Sequence, residues 1–320
     1  MKRSIRYRDD RVVYAGVIGE NLAITSAGPR NHHQAITDPD GCAPVTIDAK
    51  LFVPDADQPL PTVIIVPGSL GVGPNHEQHA ATLVGAGYAV CVVDPFAARA
   101  VTSTVANQTH YSFAASSFDV LATLSALRER PEIDADRIAA QGHSRGGSAV
   151  LIAACRRFAD PIVGPDIRLA AVLAAYPWCG QQFLDPSIGT TSVRAIIGDL
   201  DEWCSVQQVQ AQVQAMRAVG GDASIRIVRA AHHSFDRDED VHTIAEASVA
   251  PAAPTTMLAD DGSMIMAQVG EPDPGLVDHD LFTAAVEAGF GRRGAAIGGI
   301  GDQPELFRSD MLAFYDRTLR

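Results

Sequence analysis

The sequence predicts an α/β protein built on a mostly parallel central sheet with helices on both faces. Three observations predict it. Apolar, β-branched runs of strand length recur along the chain, and stretches with helical periodicity separate them. A glycine-flanked serine also stands where one such run gives way to an apolar helix. The chain has 320 residues, 47% apolar and 20% charged, which suits a large buried core and excludes a disordered chain. We expect a single domain over residues 1–320, with a polar, irregular N-terminal arm (1–44, holding one or two early strands) and an inserted subdomain (236–303).

Each element has its own signal. Residues 45–53 and 62–66 read as strands, the second β-branched and too short for a helix. A helix over 75–85 stops at Gly85 and Gly87, and 88–93 is the next strand. Residues 117–130 place Val120, Leu121, Leu124 and Leu127 on one helical face, ended by Pro131. A short strand over 137–141 leads into a helix over 144–155 that is apolar nearly all round and therefore buried. Strands follow at 169–175 and 193–197. Val206, Val209, Val213 and Met216 then mark an amphipathic helix closed by Gly220-Gly221. Residues 225–228 form a strand and 306–319 the closing helix. Between them, 255–258, the Asp260-Asp261-Gly262 turn and 264–267 suggest a hairpin, and Asp278 suits the cap of a helix reaching Ala288.

Charge and cysteines narrow the function. A net charge of −13 argues against nucleic acid or an anionic membrane as partner, since both call for clustered Lys and Arg. No apolar stretch of about 7–15 residues follows the basic start Met1-Lys2-Arg3-Ser4-Ile5-Arg6, so no signal peptide is read and a cytoplasmic protein is expected. The five cysteines contain no CxxC pair, which speaks against a zinc site or a disulfide framework. Cys179 and Cys204 follow neighbouring strands, but free thiols are the expected state.

The chemistry centres on Gly142-His143-Ser144-Arg145-Gly146. Five residues with three fixed positions are weak alone. The strand before and the buried helix after make them a turn that exposes a nucleophile, with the Arg145 amide aimed where an oxyanion forms. A serine hydroxyl needs a histidine base, and the base needs an acid. Gly198-Asp199-Leu200-Asp201 and His232-His233-Ser234-Phe235 each follow a strand, in the chain order this fold uses. Asp199 and Asp201 compete as the acid, and His232 and His233 as the base. The loop Pro67-Gly68-Ser69-Leu70-Gly71 offers the amide of Ser69 or Leu70 as second oxyanion donor.

From about residue 45 onward the chain resembles the dienelactone hydrolase family of α/β-hydrolases. The matching pieces are Pro67-Gly68-Ser69-Leu70-Gly71, Val93-Asp94-Pro95-Phe96, Gly142-His143-Ser144-Arg145-Gly146-Gly147, Tyr176-Pro177, Gly198 to Trp203, and His233-Ser234-Phe235. The resemblance implies a triad of Ser144, Asp201 and His233 that hydrolyses a carboxylic ester or lactone without a cofactor. The namesake enzymes carry cysteine where this chain has serine, and the 236–303 insertion is long for the family. A general carboxylesterase acting on a small molecule is therefore the expectation. A serine peptidase, amidase or acyltransferase on the same triad, or a non-catalytic binding protein, are the rivals. The sequence leaves homo-oligomerisation open.

Several other features invite a functional reading. Gly68, Gly71 and Gly73 follow a strand as in a dinucleotide site, but their spacing is reversed and an oxyanion loop explains them equally. His76-Glu77-Gln78-His79 is one residue short of a zinc motif, on a helix face expected to be solvated. His32-His33 is expected at the surface, and Cys91 and Cys155 in the core. Trp178 and Trp203 are candidates for the acyl-pocket wall. Arg145 suits either a substrate carboxylate or a structural ion pair.

Overall fold

A computed structural model describes residues 7–9 and 11–320, and the basic start at 1–6 lies outside the described residues. Eight strands form the central sheet: β1 (Glu20–Ala27), β2 (Pro44–Phe52), β3 (Leu60–Val66), β4 (Ala89–Asp94), β5 (Ile133–His143), β6 (Ala171–Ala175), β7 (Ser192–Gly198) and β8 (Ala223–Val228). Their spatial order is β8-β7-β6-β5-β3-β4-β2-β1, parallel except where β2 pairs with β1 and β4. This is the mostly parallel α/β-hydrolase sheet that the sequence predicts. Strands β4 and β6 are buried at every residue, which only apolar sequence on both faces allows.

The helices are α1 (His32–Thr37), α2 (Pro74–Gly85), α3 (Phe113–Arg128), α4 (Arg145–Ala154), α5 (Arg156–Val163), α6 (Val206–Ala218), α7 (Asp278–Glu287) and α8 (Gln303–Leu319). α3, α4 and α5 pack on one another, and α2 packs on α8. Every residue of α4 is buried, as its all-round apolar sequence requires. Among the described residues no helix is long and apolar enough to cross a membrane.

The differences from the sequence reading have local causes. α3 starts four residues earlier than expected because Ser112 caps it, accepting from the Ala115 amide. α5 is unexpected: Pro161 argues against a helix, yet one resumes after a single extended residue at Cys155. The arm is less irregular than expected, since β1 runs eight residues as the sheet edge. Asp278 is the first residue of α7 and not its cap; Val277 holds that place and Asp280 accepts from its amide at 2.9 Å. The expected hairpin is present at Thr256–Leu258 and Met264–Ile265. Its first strand also pairs in parallel with Gln181–Phe183, just beyond β6. Farther along, His242–Val249 pairs with Arg292–Ile297. All five cysteines are buried free thiols.

His32 corrects a second expectation. It is fully buried against the rings of Phe158 and Phe183 rather than at the surface. Burial lowers its imidazole to about 3. The unfolded chain, with a histidine near 6.5, then takes up a proton first as pH falls. The stabilisation is complete above about pH 6.5 and is lost toward pH 3. By pH 4 the loss amounts to on the order of 3 kcal/mol from this residue. Urea denaturation at pH 7 and pH 4 checks this: His32→Leu should narrow the difference between the two, and an unchanged difference contradicts it.

Candidate active site

The site is built where β5 meets α4. Ser144 sits alone between them at φ 54°, ψ −114°, a backbone state that costs a side-chain-bearing residue about 1–3 kcal/mol. Its neighbours explain how the turn closes. A methyl group at Gly142 would strike the Gly146 carbonyl, and one at Gly146 would strike the carbonyls of Val66 and Pro67. The motif glycines are therefore required by close backbone approach. The Ser144 amide donates to the Ala175 carbonyl at 2.9 Å, tying the turn to the end of β6.

Two loops converge on the serine. His233 Nε2 lies 2.9 Å from Ser144 Oγ, and His233 Nδ1 lies 2.8 Å from Asp201 Oδ2. The side chain of Asp201 is fully buried and that of His233 is 3% exposed. The other oxygen of Asp201 accepts from the amides of Trp203 (2.8 Å) and Cys204 (2.9 Å). Both acceptor atoms are thus engaged and the carboxylate has one orientation. Asp199, the rival acid, is exposed, and His232 takes no part in this chain of hydrogen bonds. Trp203 stacks on His233 with ring centroids 5.2 Å apart and donates from Nε1 to the Ala296 carbonyl.

Arg145 departs from both expectations. Its buried guanidinium donates to Ser116 Oγ and to the carbonyls of Gln108 and Tyr111, and it lies over the rings of Tyr111 and Phe113. It braces the loop before α3 and the first turn of that helix instead of meeting a carboxylate. Its amide opens α4, where first-turn N–H groups have no intrahelical acceptor. Ser69 and Leu70 both line the cavity beside Ser144. Among the described residues neither amide is engaged with another backbone group.

Beneath the site lies a network that the sequence reading missed. Asp236 is fully buried, and its carboxylate meets Asn75 Nδ2 (2.9 Å), His79 Nε2 (2.7 Å) and the Tyr176 hydroxyl (2.8 Å). His143 Nδ1 lies 2.9 Å from the same hydroxyl. Burial alone would raise the Asp236 carboxyl, but hydrogen bonds and charge interactions with His143 and His79 hold it well below the usual carboxylate range. The helix face carrying His76 and His79 is thus buried, not solvated. The signal was present, since three histidines and an aspartate sit in or beside recognisable motifs. Nothing in their spacing says that they converge.

Among the described residues two sets of donors are close enough to hold a metal ion, His79 with His143 and Asp236, and Asp201 with Cys204 and His233. In each a histidine–carboxylate hydrogen bond already joins two of the three.

The cavity has two lobes that meet at Ser144. One, of about 360 Å³, runs past His233, His76 and Arg237. The other, of about 380 Å³, runs past Trp178, Phe113, Val249 and Phe282. Both open to solvent, and Trp203 lines both.

A model of the dienelactone hydrolase family matches residues 47–257. The chain belongs to the dienelactone hydrolase family. The family is one of hydrolases, and the eight-stranded sheet is its α/β-hydrolase fold. Among solved structures, the one named m3DLH shares 17% identity with a TM-score of 0.56, covering 94% of this chain and 99% of its own. A dienelactone hydrolase-like promiscuous phosphotriesterase from metagenomic libraries shares 18% (TM-score 0.47; 68% of this chain, 85% of its own). An α/β hydrolase from a Medee basin deep-sea metagenome shares 18% (TM-score 0.49; 68% and 84%). No curated protein sequence matches the chain.

The network beneath this dienelactone hydrolase-family site should carry stability. Asp236→Ala leaves the donors of Asn75, His79 and Tyr176 buried without their acceptor and should cost on the order of 3 kcal/mol. Urea denaturation measures the loss, and an unchanged midpoint would contradict the assignment.

Proposed function

We propose that the chain is a serine hydrolase that cleaves a carboxylic ester or lactone through an acyl-enzyme. The observation that carries this reading is the continuous hydrogen-bonded chain from Ser144 Oγ through His233 to Asp201, ending on a serine held at positive φ. Ser144 Oγ attacks the carbonyl carbon while its proton passes to His233 Nε2. The carbonyl electrons move onto the oxygen, where the amide of Arg145 and that of Ser69 or Leu70 receive the negative charge. The intermediate collapses, the C–O bond to the leaving group breaks, and His233 returns the proton to the departing alcohol. Water, deprotonated by the same imidazole, then releases the acid and restores Ser144. Asp201 keeps Nδ1 protonated and Nε2 free to accept. The chemistry calls for no cofactor.

A fluorophosphonate should label the peptide that holds Ser144, and Ser144→Ala should lose up to ~10⁶ in turnover of a nitrophenyl ester. An adduct elsewhere, or full activity in the variant, would overturn the reading. Asp201→Asn and His233→Ala should each lose about 10⁴-fold. Asp199→Asn and His232→Ala should lose far less, and the reverse ranking would reassign the acid and base. A matched anilide should react far more slowly than the ester; equal rates would favour an amidase.

A further inference from the structure

The two lobes are unequal in chemistry, and the proton path says which part of the substrate each receives. The leaving group takes its proton from His233 Nε2, so it lies in the lobe that His233 lines. The second lobe is lined by Ser144, Ser69 and Arg145 but not by His233. It is where an acyl chain bound to Ser144 Oγ must extend. Its far wall is a set of three rings: Phe113 and Trp178 (centroids 4.5 Å apart), Trp178 and Phe282 (5.5 Å), and Phe113 and Phe282 (6.2 Å, interplanar angle 6°).

Phe282 is the unusual member, because it comes from the segment after the His233 loop. Its place is fixed by Asp278, four residues earlier on the same face of α7. The Asp278 carboxylate is buried and accepts from the Phe113 amide (2.7 Å) and from Gln181 Nε2 (2.9 Å). A buried carboxylate is a costly anchor unless position matters, and this one places the Phe282 ring against Phe113 and Trp178. Flat rings at the wall of an open lobe favour a flat, apolar guest, which stacks on them better than a flexible alkyl chain of similar length.

From this geometry we infer that the acyl group of the substrate carries an aromatic ring, received against the wall that Trp178 and Phe282 form, and that Phe282 is a specificity-determining residue. The inference rests on the acyl-enzyme reading above. Wild-type protein should prefer p-nitrophenyl 3-phenylpropanoate over p-nitrophenyl hexanoate by ~10-fold or more in kcat/KM. Phe282→Ala should bring the ratio of the two close to unity. Phe282→Leu keeps apolar bulk without the ring, and the same collapse is expected should the alanine variant fail to fold.

A second measurement needs no turnover. The chain has two tryptophans, and both line this lobe. In Ser144→Ala, free 3-phenylpropanoate should quench tryptophan fluorescence at concentrations ~10-fold below those hexanoate requires. That difference should vanish when Phe282→Leu is added. Equal responses to the two acids, or a preference that survives loss of the ring, overturn the inference. Selective binding without hydrolysis of either ester would keep the aromatic-binding wall at Phe282 and reject the acyl-enzyme reading instead.

Discussion

Ser144 keeps its positive φ because the backbone around it is packed too closely for any other course. Gly142 lies against the Gly146 carbonyl, and Gly146 lies against Val66 and Pro67 at the end of β3. α4 can therefore leave β5 only at this angle, with the hydroxyl projected over the sheet edge. The strain is local, and the packing of the wholly buried α4 opposes it. Tyr176 (φ 38°) and Ser234 (φ 55°) are strained in the same way and border the same site. Three of the six non-glycine residues at positive φ among the described residues thus border the site.

His233 is held between two buried carboxylates that do different work. Asp201 takes two backbone amides on one oxygen and the imidazole on the other, so it sets the direction of the ring. Asp236 lies three residues beyond the histidine and meets no part of it. It binds Tyr176, and the Tyr176 ring packs edge-on against His233 at 4.6 Å. It also binds α2 through Asn75 and His79. The loop is thus fixed at its head by Asp201 and at its foot by Asp236, with His143 beside Ser144 joined to the same foot.

The sheet was legible in the sequence because parallel strands buried on both faces must be apolar throughout. The residues of the Ser144 motif were legible because close backbone approach demands glycine at fixed spacing. Asp201 and His233 were distinguishable from Asp199 and His232 by their place in the loops and by family resemblance, and the structure brings the former pair to Ser144. The Asp236 network was not legible, because its members lie up to 161 positions apart in the chain and are joined only by folding. His32 and the His76–His79 face failed for a related reason. A polar residue read alone is assigned to solvent, and only tertiary packing reveals burial.

The segment from 236 to 303 shows why wall residues are harder to read than chemical ones. Its strands carry no motif, yet Ala296 receives the indole N–H of Trp203, and Ile297 pairs with His233 itself. Gly298 donates back to the His233 carbonyl. The segment therefore bears on the placement of His233 as well as on the cavity wall. Chemistry restricts a nucleophile to few residue types, whereas any apolar side chain of suitable shape can close a cavity. Their identity follows from the guest that must fit, so under the proposed function this segment is the part of the chain best placed to set selectivity without altering the Ser144–His233–Asp201 geometry.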